Sequence, residues 1–390
     1  MMNPIYLDYA ATTPVDPRVA AKMSAALTLE GNFANPASKS HRYGWEAAEA
    51  VDIGRSQVAA LCGADSREIV FTSGATESDN LAIIGVAEAL AKSSPRRHII
   101  TSMLEHKAIL DPCHYLESKG YKVTYLQPGS DGIITKEMLA DAIGEDTLLV
   151  SLMHANNEIG VIQDIGELAK VAHEAGALFH SDCAQSAGKV KIDVTTMPVD
   201  YLSFSAHKVY GPKGIGAFYV RQGVPLPEPV IRGGGHERGM RSGTLATHQI
   251  VGMGEAYALA VKEFERDTSR LQAMRDKLAA ALLALPGTKV NGSMSARLPN
   301  NLNVTFSGVN GETFLLALRG LAVSTGSACT SASLNPSYVL KALGLSDSDA
   351  HSSIRISFGR FTTDEEIEVA SKIFTEVYAE QKRLGSGWSA

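Results

Sequence analysis

The chain has 390 residues, of which 45% are hydrophobic and 20% charged, and its formal net charge at pH 7 is −6. Such a chain can bury a substantial core as one large or two medium domains, and its acidic balance argues against nucleic acid or an anionic membrane as the main partner. Because no apolar run approaches the roughly 18 residues of a membrane span and the amino-terminal sequence carries no targeting pattern, we expect a cytoplasmic protein.

The four cysteines are widely separated and form no CxxC pair, which argues against a disulfide framework or a zinc site. Cys62, Cys113 and Cys183 lie in apolar stretches, and we expect them to fill core positions. Cys329 lies instead among small polar residues, in STGSACTSAS at 324–333. That pattern favours an exposed loop, which is the setting that a nucleophilic thiolate needs.

The amino-terminal part predicts a short strand over 5–7, a small-residue loop over 10–14 and an amphipathic helix over about 44–61. A second strand begins at Ile69 and leads into the turn 73–76 and a helix that ends near residue 91. Free backbone N–H groups at this helix start, with Ala75 and the Thr76 hydroxyl, predict an anion site that suits a phosphate. The alternative is a plain capping turn with Ser or Thr as the N-cap.

The next stretch alternates strands and helices, with strands predicted at 98–101, 121–126, 147–153 and 177–180. This alternation predicts a mainly parallel sheet with helices on both faces. Ligands gather at the carboxyl ends of such strands, and polar residues follow these ends: His106, Asn157, Asp182 and Gln185. Each has an alternative, because histidine and aspartate also cap helices and asparagine closes turns.

The stretch 201–220 predicts two strands joined by a Gly- and Pro-rich turn, with Ser205, His207 and Lys208 just after the first strand. Burial at a strand end lowers the pKa of a lysine and makes its amine a nucleophile, which can form a Schiff base with pyridoxal phosphate. The alternative is a surface lysine in a hairpin loop. A carboxylate, a stacking aromatic, a donor and a phosphate cradle at the neighbouring strand ends complete what this cofactor needs.

Beyond the lysine, a glycine-dense loop at 233–244 has no GxGxxG spacing. A long helix over about 254–285 then leads into a second α+β region, and we place a domain boundary near residue 260. This region has predicted strands at 301–306 and 353–358 and a closing helix at 363–384. Arg355 lies within the second of these strands and suits a bidentate grip on a substrate carboxylate. The alternative is a salt bridge on the sheet surface.

Seven segments resemble one family: YLDYAATTP, TSGATESDN, EHKAIL, HANNEIGVIQDI, SAHKVYGPKGIGA, GGGHERGMRSGT and STGSACTSAS. They are similar to cysteine desulfurases of the iron–sulfur-assembly type, the IscS/NifS group, and the similarity extends to about residue 370. The resemblance implies an α/β fold-type I pyridoxal phosphate enzyme with a large domain at 15–260 and a small α+β domain at 1–14 and 261–390. It implies a homodimer that converts L-cysteine to L-alanine and supplies persulfide sulfur to iron–sulfur assembly, with tRNA thiolation as a further destination.

The resemblance also implies contacts to pyridoxal 5′-phosphate. Lys208 would hold the cofactor and move the proton from the substrate Cα, and His106 would stack on the ring and act in acid–base steps. Asp182 would pair with the ring nitrogen, and Gln185 would contact the phenolic oxygen. The groups that would bind the phosphate are Ala75, Thr76, Ser205 and His207, with Thr244 contributed by the other subunit.

For the substrate, the resemblance implies that Asn157 and Arg355 hold the carboxylate and that Cys329 attacks the sulfur. Cys329 would also be a candidate transient iron–sulfur ligand shared with a scaffold protein. Two features depart from the family. Cys183 stands where a small residue such as Ala is common, and the segment 381–390 is shorter than and unlike the tail that helps relatives dock the scaffold.

Two rival functions remain open from the sequence. The first is another enzyme of the same fold, such as a selenocysteine lyase or an aminotransferase. The second is a nucleotide-binding or sulfur-carrier protein without catalysis, and the absence of GxGxxG and GxxxxGK[ST] motifs argues against nucleotides.

Overall fold

The computed structural model describes residues 3–325 and 335–386. The strands within these residues are β1 (Ile5–Tyr6), β2 (Ile69–Thr72), β3 (His98–Ser102), β4 (Lys122–Leu126), β5 (Thr147–Ser151), β6 (Leu178–Asp182), β7 (Tyr201–Ser205), β8 (Gly216–Val220), β9 (Thr288–Val290), β10 (Asn301–Phe306), β11 (Leu321–Ala322) and β12 (Ser353–Ser357). The α-helices are α1 (Pro17–Ala25), α2 (Arg42–Cys62), α3 (Ala75–Asn80), α4 (Val86–Leu90), α5 (Lys107–Glu117), α6 (Lys136–Ala142), α7 (Ile165–Glu174), α8 (Thr247–Lys262), α9 (Phe264–Leu283), α10 (Gly311–Ala317), α11 (Tyr338–Ala342), α12 (Asp347–His351) and α13 (Asp364–Ser386).

The largest sheet has seven strands in the order β2-β8-β7-β6-β5-β3-β4. All neighbouring pairs are parallel except those made by β8, which runs antiparallel to β7 and to β2. The mainly parallel sheet predicted from the alternation of strands and helices is therefore confirmed. The hairpin of β7 and β8 is also where the sequence predicts it.

Helices cover both faces of this sheet. Successive strand residues point to opposite faces, and neighbouring residues therefore pack against different helices. Ile100 packs into the core that includes Leu168 of α7. Its neighbour Ile99 packs into the core that includes Ile109 of α5. Cys62, Cys113 and Cys183 are all buried, as expected for core positions. Within the described part of the chain, no helix is long and apolar enough to cross a membrane.

A second hydrophobic core lies around the antiparallel sheet β12-β10-β9. Phe306 of β10 is fully buried there, with its ring 5.7 Å from that of Phe374 and 4.8 Å from that of Phe314. Leu7 from the amino-terminal segment packs into the same core. In addition, β1 pairs in parallel with β11. The amino-terminal segment is thus attached to the carboxyl-terminal third of the chain.

The prediction of one long helix over about 254–285 is wrong in one respect, because α8 ends at Lys262 and α9 begins at Phe264. Glu263 lies between them with φ −104° and ψ 8°. Its carboxylate accepts a hydrogen bond from the Arg18 guanidinium at 2.6 Å and lies 3.4 Å from Arg360 Nε. These contacts come from residues distant in sequence, so the continuous apolar periodicity could not reveal the break.

We expect Phe306→Ala to lower the free energy of unfolding of the second core by about 3–5 kcal/mol, because it leaves a cavity between two aromatic rings. Chemical denaturation followed by circular dichroism measures this loss. Leu316→Ala on α10 is the matched control, since its side chain is 64% exposed and surface changes alter stability by less than about 0.5 kcal/mol. Equal effects of the two substitutions would contradict this description of the core.

Candidate active site

The carboxyl ends of the parallel strands border one cavity of about 500 Å³, which we call the central cavity. Nine residues singled out from the sequence line it: Ala75, Thr76, His106, Asn157, Asp182, Gln185, Ser205, His207 and Lys208. They come from segments at or after the ends of β2, β3, β5, β6 and β7. The volume is in the range of small-molecule sites, about 300–1,000 Å³.

Lys208 is half-buried in the cavity wall, at the end of a short 3₁₀ turn that follows β7. Its Nζ donates a hydrogen bond to the backbone oxygen of Ala10 at 3.2 Å. Gln185 Nε2 donates to the same oxygen at 2.9 Å. The amino-terminal loop therefore holds together two side chains that are 23 residues apart in sequence. The alternative of a lysine in an open surface hairpin does not fit this position.

The backbone just after Lys208 is held in an uncommon conformation. Tyr210 has φ +60°, in the left-handed region that non-glycine residues rarely adopt. Its N–H donates to Thr13 Oγ1 at 2.8 Å, and its hydroxyl accepts from the Arg360 N–H at 2.7 Å. Such a conformation persists only when its surroundings fix it. The turn that carries Lys208 is therefore rigid.

Asp182 and His106 are helix- or turn-capping groups, as their alternatives predicted, and also face the central cavity. Asp182 is the last residue of β6, and its Oδ1 accepts from the Ala184 N–H at 2.8 Å. His106 Nδ1 accepts from the Ala108 N–H at 3.2 Å at the start of α5. Burial lowers the pKa of His106, opposed in part by the charge of Asp182. The His106 imidazole is therefore neutral near pH 7.

The turn before α3 differs from the capping alternative, because its N-cap is Gly74 and no side chain caps the helix. Glu77 instead accepts from the Ser73 N–H at 2.7 Å and pairs with Arg241 at 2.9 Å. The N–H groups at the start of α3 thus remain for a ligand. Gly216 permits this placement, since a Cβ there would lie only 2.6 Å from Gly74 Cα.

His207 completes the polar wall on this side of the cavity. Its Nδ1 lies 3.1 Å from Thr12 Oγ1, a contact that fixes the ring. Burial, reinforced by the charges of Lys208 and Lys213, lowers the pKa of His207 to about 4. The His207 ring is therefore neutral at pH 7. Its second ring nitrogen can face a bound anion.

Arg355 lies behind Asn157 and is 3% exposed, so the alternative of a salt bridge on the sheet surface is wrong. Its guanidinium donates to the Asn157 backbone oxygen at 3.0 Å and to Asp8 Oδ1 at 2.8 Å. Among the described residues, neither Arg355 Nε nor Asn157 Oδ1 has a hydrogen-bond partner. Unpaired buried donors and acceptors are costly, and this pair therefore fits a polar ligand.

The remaining two candidates are Thr244 and Cys329. Thr244 is exposed and does not line the central cavity of its own chain. Cys329 falls outside the described residues. Ser324, on the described chain that leads toward it, exchanges backbone hydrogen bonds with Arg355, with N···O distances of 3.3 and 2.6 Å. The described segment before Cys329 thus pairs with the backbone of Arg355.

Two buried acids at this site were missed from the sequence. Asp79 lines the central cavity, and Glu105 precedes His106. Both are fully buried. Their only sequence signal is a carboxylate within the motifs TSGATESDN and EHKAIL, which does not distinguish a buried acid from an exposed one.

The donor set of the cavity fits pyridoxal phosphate. It offers an amine at Lys208, a carboxylate at Asp182, a neutral imidazole at His106 and an uncapped helix start at Ala75. These groups match the aldehyde, the ring nitrogen, the ring face and the phosphate of the cofactor.

Comparison with known proteins agrees with this donor set. The aminotransferase class-V family model matches residues 5–369. The chain is 58% identical over 389 residues to the cysteine desulfurase IscS of Pseudomonas aeruginosa (strain LESB58), covering 100% of this chain and 96% of that protein. A solved NifS-like protein superposes with a TM-score of 0.89 at 38% identity, over 96% of this chain and 99% of that one. SspA in complex with cysteine gives 0.80 at 39% identity, over 92% and 100%.

We expect a pH-dependent gain of stability in Glu105→Gln. Burial raises the pKa of Glu105 to about 8, although its Oε1 accepts from Ser102 Oγ and the Met153 N–H. Its unfolded pKa is about 4.3, so the folded state binds the proton more tightly. The contribution of the Glu105 proton to the free energy of unfolding is complete below about pH 4 and is lost as the pH rises toward 8.

The free energy of unfolding of Glu105→Gln relative to wild type should therefore rise between pH 5 and pH 8, by an amount on the order of a few kcal/mol. Denaturant titrations of the cofactor-free proteins at the two pH values measure it. Exposed Glu174→Gln is the control and should show no such change. A difference that is flat with pH in Glu105→Gln would mean that Glu105 is ionised throughout.

Proposed function

Since the chain belongs to the aminotransferase class-V family and is a pyridoxal-phosphate-dependent cysteine desulfurase, we propose that the central cavity is where it converts L-cysteine to L-alanine. The observation that carries this proposal is that Lys208, Asp182 and His106 line one cavity at the carboxyl edge of a parallel sheet. The other product is persulfide sulfur for iron–sulfur cluster assembly. We also propose that part of this sulfur is delivered to tRNA thiolation.

In this proposal Lys208 holds pyridoxal phosphate covalently and moves the proton from the substrate Cα. When bound, the cofactor supplies an electron sink for the charge that develops at that carbon. Asp182 faces the ring nitrogen, Gln185 donates to the phenolic oxygen, and His106 stacks on the ring. Because Nδ1 accepts from the Ala108 N–H, the neutral imidazole of His106 carries its hydrogen on Nε2, which suits proton donation in the acid–base steps.

The phosphate would bind at the turn before α3. The N–H groups and side chains of Ala75 and Thr76 face it from one side, and Ser205 and His207 from the other. With Nδ1 of His207 held by Thr12, its other ring nitrogen is available for a phosphate oxygen. Arg241, through its ion pair with Glu77, keeps the loop 233–243 near this turn.

The substrate carboxylate would bind between Asn157 and Arg355. Arg355 Nε and Asn157 Oδ1 lack partners among the described residues, and a zwitterionic amino acid offers both a carboxylate acceptor and an ammonium donor. Asp8 already pairs with one Arg355 nitrogen, which orients the guanidinium toward Asn157. The ion pair therefore positions Arg355 and does not compete for Nε.

Cys329 would then collect the sulfur. Its thiolate forms an S–S bond to the substrate sulfur as the substrate Cβ–S bond breaks, and the bonding pair stays with the carbon that leaves as alanine after protonation. The persulfide passes to acceptors such as an iron–sulfur scaffold protein, with Cys329 as a candidate transient cluster ligand. These steps take place in the cytoplasm in this proposal.

The protein would act as a homodimer. Thr244 is exposed and lies outside the cavity of its own chain, which supports its use by a partner subunit. The exposed side chains of Trp45 and Ile53 on α2, at 59% and 54%, offer an apolar surface that association would cover. We also propose two domains, 15–260 and 1–14 with 261–390, a division supported by the packing of Leu7 in the second core.

We expect Cys329→Ser to keep the bound cofactor and its visible absorption but to lose alanine formation by on the order of 100-fold or more, since the hydroxyl is a poor nucleophile toward sulfur. Steady-state assays of alanine and sulfide measure this loss. Buried Cys183→Ala is the control thiol and should retain turnover. Normal turnover by Cys329→Ser would sink the nucleophile assignment.

We expect Arg355→Ala to raise the KM for L-cysteine by about 10–100-fold, because it removes a charge-assisted hydrogen bond to the carboxylate. Asp8→Asn is the matched variant, since it weakens the ion pair but keeps the guanidinium. Its KM should stay within about threefold of wild type. If both variants lose affinity equally, the role of Arg355 is structural.

A further inference from the structure

Asp79 is the feature of the site that the reaction above does not use. It lies on α3, lines the central cavity and is fully buried. Neither carboxyl oxygen has a hydrogen-bond partner among the described residues. A buried, unpaired carboxylate is among the costliest groups in a protein interior, and in practice such a group takes up a proton.

Among the residues that the structure describes, no lysine or arginine forms an ion pair with Asp79. The basic group in contact with Asp79 is His180 on β6, whose Nε2 lies 3.8 Å from Asp79 Oδ1. His180 is hydrogen-bonded to the Ser151 hydroxyl through Nδ1 and to the Ser203 hydroxyl through Nε2, each at 2.9 Å. Burial lowers its pKa to about 3, so the ring is neutral. The contact with Asp79 is therefore not an ion pair.

Asp182 is the neighbouring acid with the largest effect on the pKa of Asp79. It follows His180 by two residues on β6, so both side chains lie on the same face of the strand. Asp79 contacts His180 and lines the same cavity as Asp182. Burial, and next the charge of Asp182, raise the pKa of Asp79 well above its usual range; the Ser203 hydroxyl opposes this rise, and Glu105 adds to it.

Other titratable groups near Asp79 are Glu105, His106 and Lys208. Glu105 and His106 precede α5, which packs against α3. Glu105 is itself protonated near neutral pH, because burial raises its pKa to about 8. Burial lowers the pKa of His106, and Lys208 follows β7 in the wall of the same cavity. Among the neighbouring charges, that of Asp182 acts most strongly on Asp79.

We propose that Asp79 is a protonated positioning residue and that it forms with Asp182 a carboxyl pair carrying one proton and one negative charge. Two ionised carboxyl groups at close range in a buried site would repel each other, and one retained proton removes this cost. The single charge matches the single positive charge of a protonated ring nitrogen. The inference rests on the proposed function for the identity of that ligand, but the shared proton belongs to the cofactor-free chain.

The geometry explains why the acid is useful in this position. In this proposal a hydroxyl hydrogen on Asp79 is donated to a carboxylate oxygen of Asp182 and fixes the orientation of that carboxylate. An ionised Asp79 could only accept hydrogen bonds. Asp182 Oδ1 is already held by the Ala184 N–H at 2.8 Å. Asp182 would then present one defined oxygen to the cavity.

Infrared difference spectroscopy of the cofactor-free protein at pH 7 tests the proton. Wild type minus Asp79→Asn should contain the C=O band of one protonated carboxylic acid, shifted by isotope-labelled aspartate. Glu105→Gln serves as the reference for the other buried acid, whose band does not shift with that label. Absence of an aspartic acid band at pH 7 overturns the proposal, whatever ligand the cavity binds.

Affinity for pyridoxal phosphate, measured by equilibrium dialysis, tests the positioning role. Asp79→Asn keeps a hydrogen-bond donor and should bind within about threefold of wild type, whereas Asp79→Leu should bind at least about tenfold more weakly, or about 1.4 kcal/mol. Melting curves check that Asp79→Leu is folded, and a folded variant with unchanged affinity overturns the positioning role. Failure of wild type to bind the cofactor would contradict the proposed function alone, since the infrared result does not need the cofactor.

Discussion

The parallel register of β6 and β7 is the constraint on which the site depends. Asp182 lies directly opposite Ser203 across this pair, so the end of β6 meets the segment that carries Lys208. The lining residues come in short groups, such as Asp182 with Gln185, and the groups arrive from different strand ends. The central cavity therefore exists only when the sheet is complete. The fixed left-handed backbone at Tyr210 then prevents the lysine turn from relaxing away from it.

The second organising feature is the small number of formal charges in the buried part of the site. Burial keeps His207 and His180 neutral and raises the pKa of Glu105. Asp182, Lys208 and Arg355 are among the groups whose charge can complement a ligand. Because an unpaired charge in a low-dielectric interior is costly, neutral neighbours preserve the effect of the few charges that remain. This arrangement suits a ligand that brings its own charges.

The sequence predicts much of the fold because its strands are continuous apolar runs and its helices are amphipathic. It also predicts the cavity-lining residues, since polar groups follow strand ends in a parallel sheet. What it cannot predict depends on contacts between distant residues. The break at Glu263, the shared contact of Gln185 and Lys208 with Ala10 and the burial of Arg355 are of this kind. The burial of Asp79 belongs with them, because α3 alone gives no sign of what covers it.

The most direct measurement is to trap the cofactor where it is attached. Borohydride reduction of the holoenzyme followed by peptide mapping by mass spectrometry identifies the modified lysine. Lys189 and Lys213 are internal controls, since Lys189 donates to the Lys208 backbone oxygen and Lys213 lines the same cavity. The account predicts the pyridoxyl group on Lys208 alone. The group on Lys189 or Lys213, or no covalent group in a coloured holoenzyme, would contradict it.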